Sequence, residues 1–128
     1  MKLLLDTHAF LWWIMDDPKL SPQAADAIQG SDNDIYVSVA SAWEIAIKAG
    51  LGKLKLPDTP KRFVPRQLAA NNFLVLPINL DHGLAVQDLP LHHRDPFDRL
   101  LVTQSQIEKM PIVTDDGLIK RYGVKVLW

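Results

Sequence analysis

The segment KLLLDT, residues 2–7, places three consecutive leucines between a lysine and an aspartate. An apolar run that does not alternate is the mark of a strand covered on both faces, as in the interior of a parallel sheet. Working outward, residues 7–15 are apolar on every side of a helical wheel and include Trp12 and Trp13, so a helix packed on more than one face follows the strand. Ser21-Pro22 then supplies an N-cap and a proline at the first helical position, opening a second helix that runs to about Gly30. A turn over residues 32–34 leads to a strand at 35–37. A helix over 38–49 is ended by Gly50, and a basic loop covers 51–57.

The same alternation continues to the end of the chain. Residues 60–71 read as helix, with Pro65 expected to split it because a mid-helix proline costs about 3 kcal/mol. Residues 73–76 read as a strand, 81–87 as a helix and 89–94 as a loop. Asp95-Pro96 opens a long helix to about Lys109, followed by a strand at 112–114, a short helix at 117–122 and a last strand at 124–127. Strands alternating with helices predict an α/β fold of three layers, α/β/α, around a mostly parallel sheet of about five strands. At 128 residues and 48% hydrophobic composition the chain fits one domain over residues 1–128 with a substantial core.

Composition excludes several chemistries. With no cysteine there is no disulfide framework, thiolate zinc site or cysteine nucleophile, which fits a reducing compartment. The longest apolar run, residues 9–15, is far short of the roughly 20 residues of a membrane helix. Only three leucines follow Lys2 before Asp6 interrupts, too few for the apolar core of a signal peptide, so a soluble cytoplasmic protein is expected. A net charge of −1 argues against coating nucleic acid by bulk charge, yet the charge is uneven. Lys48, Lys53, Lys55, Lys61, Arg62 and Arg66 form a basic stretch beside an acidic remainder, either a solvated face or a place for a phosphate backbone next to carboxylates.

Four acidic positions stand out: Asp6 after the first strand, Glu44 within an apolar helix segment, Asp98 in Asp95-Pro96-Phe97-Asp98-Arg99, and the pair Asp115-Asp116. Ligands of open α/β sheets bind beyond the carboxyl ends of the strands, where Asp6 and Asp115-Asp116 lie. Each acid also has a purely structural use. Asp6, Asp95 and Asp115 or Asp116 are natural helix caps, Asp98 would fall in a first helical turn, and Ser41-Ala42-Trp43-Glu44 reads as a capping box with Glu44 paired to Lys48. Capping leaves unexplained why Glu44 is surrounded by Ala42, Trp43, Ile45, Ala46 and Ile47, where a buried charge needs a partner. Mg²⁺ or Mn²⁺ would supply it, since hard cations take oxygen ligands and serve phosphoryl chemistry. The histidines His8, His82, His92 and His93 lack zinc-binding spacing, and surface positions are expected for them.

Four segments, LLLDTHAFLWW, VSVASAWEIAIKAGLGKLKL, LPLHHRDPFDRLLVTQS and IVTDDGLIKRYGVKVLW, resemble in order and spacing the PIN-domain ribonuclease toxins of bacterial and archaeal toxin–antitoxin modules, the VapC-like group. The resemblance runs over nearly the whole chain. It implies a Rossmann-like PIN fold and an endoribonuclease dependent on Mg²⁺ or Mn²⁺. It further implies attack by a metal-activated water, a 5′-phosphate and a 3′-hydroxyl as products, and inhibition by a cognate antitoxin. The family's acids fall on Asp6, Glu44, Asp98 and Asp116, and its small hydroxyl residues near the metal on Thr7, Ser38 and Thr114. A homodimer is expected within the toxin–antitoxin assembly, with Trp12 or Trp13 at an interface. The competing reading is a PIN-type module that binds RNA or protein without cleaving. A dehalogenase-type phosphatase would need an acid where His8 stands.

Overall fold

The computed structural model describes residues 1–128. Its elements follow in the order β1 (Lys2–Leu5), α1 (Thr7–Ile14), α2 (Pro22–Gln29), β2 (Asp34–Ser38), α3 (Val39–Gly50), α4 (Pro60–Ala70) and β3 (Leu74–Leu76). Then come α5 (Leu80–Ala85), a 3₁₀ turn over Val86–Asp88, α6 (Pro96–Glu108), β4 (Ile112–Val113), α7 (Gly117–Lys120) and β5 (Val126–Leu127). The sheet has the order β3-β2-β1-β4-β5, with every neighbouring pair parallel.

Leu3, Leu4 and Leu5 expose no surface, because β1 is the middle strand and helices roof both of its faces. Leu3 and Leu5 share one core with Phe10 of α1, Ile28 of α2, Ile45 of α3 and Phe63 of α4. Leu4 belongs to the other core, with Leu101 and Val102 of α6 and Ile119 of α7. This alternation across a doubly covered strand is why the leucines form a continuous run. The result is the expected three-layer α/β arrangement with five strands. No helix is long and apolar enough to cross a membrane.

The winding reverses beside β1. The chain lays β2 and β3 outward on one side, then crosses back to place β4 and β5 on the other. Leu5 is in register with Val37 of β2 and with Val113 of β4. The residues that follow, Asp6, Ser38 and Thr114, therefore leave the sheet side by side, at the switch point where such folds hold ligands.

Two local expectations are corrected. Pro65 lies inside α4 without dividing it. Its ring is exposed, and the only hydrogen bond it removes would have ended on the carbonyl of exposed Lys61, within reach of water. The cap of α3 is Ser38, whose hydroxyl accepts from the Ala40 amide, so Ser41 is not the start of a capping box. The extended backbone needed at a cap occurs where β2 ends, and Ser41 is already helical.

Candidate metal centre

Asp6 is only 4% exposed. One carboxylate oxygen caps α1 by accepting the Ala9 amide at 2.7 Å, and the other accepts the Thr114 hydroxyl at 2.6 Å. Burial raises the Asp6 carboxyl above the ordinary carboxylate range, against these two bonds, which lower it. Capping and placement at the switch point are thus served by one side chain.

Glu44 is equally buried, one turn and a half into α3. Its Oε1 accepts the Thr7 hydroxyl at 2.6 Å, and Oε2 meets the Lys48 ammonium. A carboxylate only accepts, so the single Thr7 proton goes to Glu44 and the 2.9 Å contact between Thr7 and Ser41 takes the serine's proton. The Glu44 bond raises the Lys48 ammonium above its ordinary value, so the lysine stays charged.

Asp98 lies in the first turn of α6, whose cap is Asp95; that carboxylate accepts the Phe97 and Asp98 amides at 2.8 and 3.0 Å. The Asp98 carboxyl is pushed up to about 7. Burial is the first cause, followed by the negative charges of Asp95 and Asp6 and, more weakly, Glu44, with His93 opposing. Asp98 therefore senses three other acids at once. Asp116 caps α7 through the Leu118 amide, and its own amide is held by the Thr114 hydroxyl at 3.0 Å. Asp115, beside it, is exposed.

His93 departs from expectation. Its side chain is 12% exposed, with Nε2 2.9 Å from Asp116 Oδ2 and 3.0 Å from Asp98 Oδ2. Ligand atoms of His93, Asp98 and Asp116 all lie within 4.8 Å of one another. Asp6 and Glu44 stand outside that closest group. Of the hydroxyl residues, Thr7 holds Glu44 and Thr114 holds Asp6, whereas Ser38 donates to Gln104 at 2.6 Å. His82 is also not at the surface: it is fully buried, with Nε2 2.9 Å from Glu108. His92 lies against Tyr122 and His8 against Trp12, both exposed as expected.

The donor set fits a hard divalent cation. Carboxylates crowded enough to hold a proton near neutrality gain from a positive charge among them, and zinc would demand more nitrogen or sulfur than is offered. At the rim, exposed Trp43 meets Phe97 edge-on at 5.3 Å, directly next in sequence to Glu44 and Asp98. Basic residues lie nearby on α3 and its following loop, although Arg62 and Arg66 of the basic stretch pair with Asp58.

Comparison with known proteins bears on the fold and the family. Ribonuclease VapC16 of Mycobacterium tuberculosis (strain ATCC 25618 / H37Rv) is 36% identical over 70 residues, covering 52% of this chain. The aligned stretch spans 48% of that curated relative, about half its length. Among solved structures, VapBC2 from Rickettsia felis, bound to a DNA fragment from their promoter, superposes with a TM-score of 0.73 at 16% identity, covering 98% of this chain and 97% of that one. FitAcB from Neisseria gonorrhoeae gives 0.61 at 15% identity over 97% and 95% of the two chains. Those two likenesses speak for the fold. The PIN domain family profile matches residues 3–125, so the chain belongs to the PIN domain family.

Proposed function

We propose that this PIN domain is a divalent-metal-dependent endoribonuclease, the toxin of a toxin–antitoxin pair. The observation that carries the reading is the crowding of Asp6, Glu44, Asp95 and Asp116 around Asp98 at the carboxyl ends of β1 and β4. The partial identity with a named VapC ribonuclease supports it. Asp6, Glu44, Asp98 and Asp116 would hold Mg²⁺ or Mn²⁺, with Thr7 and Thr114 fixing the carboxylates that face it. Bound there, the cation would supply a nucleophilic water at neutral pH and offset the phosphodiester charge in an in-line displacement. Lys48, held on Glu44, and Lys53 line a neighbouring hollow with His8 and Trp12, where a backbone phosphate finds positive charge beside the acids. The exposed Trp43 offers a stacking surface to an unpaired base, as single-stranded RNA requires.

The partner is a small antitoxin, and the toxin acts as a homodimer in the cytoplasm. Support comes from the half-exposed Trp12 and Trp13, which border a hollow of about 540 Å³ between α1, α2 and α4. Aromatic anchors of that size are common at such interfaces. The test is incubation of the purified chain with structured RNA plus Mg²⁺ or Mn²⁺, followed by mapping of the cut ends. Cleavage abolished by EDTA, with 5′-phosphate and 3′-hydroxyl ends, is the expected result. Retained cleavage in excess EDTA, or 2′,3′-cyclic phosphate ends, overturns the mechanism; RNA bound but left intact would make the chain a binding module.

A further inference from the structure

His93 is held from every side. Its backbone N–H donates to the Tyr122 hydroxyl at 2.9 Å, and its carbonyl accepts from Arg99 Nη1 at 3.3 Å. The same guanidinium reaches the carbonyls of Val86, Leu89 and Pro90, so Arg99 clamps the loop that carries the histidine. On the ring, Nδ1 accepts the Asp95 amide at 3.2 Å. A nitrogen that accepts carries no proton, so the hydrogen of the neutral ring is on Nε2, which faces Asp116 at 2.9 Å and Asp98 at 3.0 Å. Nε2 is thereby a donor to two carboxylates, and its lone pair is not available to a metal while the Asp95 contact holds. An ordinary surface histidine has neither the fixed tautomer nor the two acids.

We propose that His93 is a positioning residue for the metal centre: its Nε2–H draws Asp98 of α6 and Asp116 of α7 toward a common point. The proposal rests on the metal-dependent reading above. Two acids on separate helices would otherwise be pushed apart by their charges. Outer-shell partners of ligating carboxylates typically change metal affinity by about 10–100-fold when removed.

The experiment is titration of the 128-residue chain with Mn²⁺, following the free-ion signal by electron paramagnetic resonance, for the parent, His93→Ala and His93→Gln. The Gln amide places an N–H near the position of Nε2, so it guards against loss of fold and tests donation itself. Weakening of Mn²⁺ binding by about 10–100-fold in His93→Ala, with most of it restored in His93→Gln, is the expected result. The pulsed spectrum of the Mn²⁺-loaded parent should show no imidazole nitrogen coupling. Unchanged affinity in His93→Ala overturns the positioning role while leaving the nuclease reading intact. Equal weakness of both variants, or imidazole coupling in the parent, also overturns it, the latter making His93 a ligand. A parent without saturable Mn²⁺ binding overturns the metal reading and this one together.

Discussion

Asp98 holds its proton to about pH 7, whereas the same carboxyl in an unfolded chain loses it near 3.8. Between those values the folded state binds a proton that the unfolded state lacks, so Asp98 makes the metal-free protein less stable as pH rises from about 4 to 7 and adds no slope outside that window. At about 1.4 kcal/mol per unit, the loss is on the order of 4 kcal/mol. Asp98→Asn removes it. Without metal the variant is expected to match the parent at pH 3.5 and to melt higher at pH 8, while gaining less from Mg²⁺ and cleaving almost no RNA. Denaturation in EDTA at both pH values checks the sign, and a destabilised Asn variant at pH 8 would leave Asp98 as a mere first-turn charge. Asp6 and Glu44 were legible in the sequence because each interrupts an apolar run, and a charge there has to be accounted for. His93 was not. Its place depends on a loop pinned by Arg99 and Tyr122 from residues 6 and 29 positions away, and no local pattern carries that information.

At the level of elements, a cap can also belong to the site. Asp6 and Asp116 cap α1 and α7, and capping occupies one carboxylate oxygen of each, so it is compatible with the metal-binding role proposed for them. Asp95 differs, because its Oδ1 takes both the Phe97 and Asp98 amides of its own helix. Asp95→Asn, which keeps an oxygen for those amides, is expected to preserve the fold and a large part of cleavage. Asp95→Ala is expected to cost about 1 kcal/mol, read from urea midpoints. A dead Asp95→Asn beside an active Asp98→Asn would reverse their roles. The helix starts were legible from Ser21-Pro22 and Asp95-Pro96, since caps and prolines act locally, whereas Gly50, expected to end its helix, is the last residue within α3, with Leu51 as the cap. Ser38 and Ser41 both satisfied the cap rule, and only the end of β2 chooses between them. Pro65 misled for the opposite reason: whether a lost hydrogen bond matters depends on exposure, which tertiary packing decides.

Across the whole molecule, the alternation of strands and helices was enough for the class of fold, but the strand order was not readable, because nothing in β4 announces that it will lie against β1. That pairing nonetheless decides where the site is. The bond between Thr114 and Asp6 joins residues 108 positions apart. Contacts of that reach fold slowly, since the chain between them must be ordered first. For a growing polypeptide this sets a schedule. A ribosome that has extruded β1 through α6 has released Asp6, Glu44 and Asp98 but neither Thr114 nor Asp116, and β1 has only one of its two neighbours. Chains stalled with 110 residues outside the exit tunnel are expected to be protease-sensitive and unable to cut RNA. Chains extruded beyond β5 should be resistant and active, and activity at the shorter length would show that β4 is dispensable. If the proposed nuclease reading holds, the nascent chain is harmless to the messenger from which it is being read until β4 and Asp116 have left the ribosome.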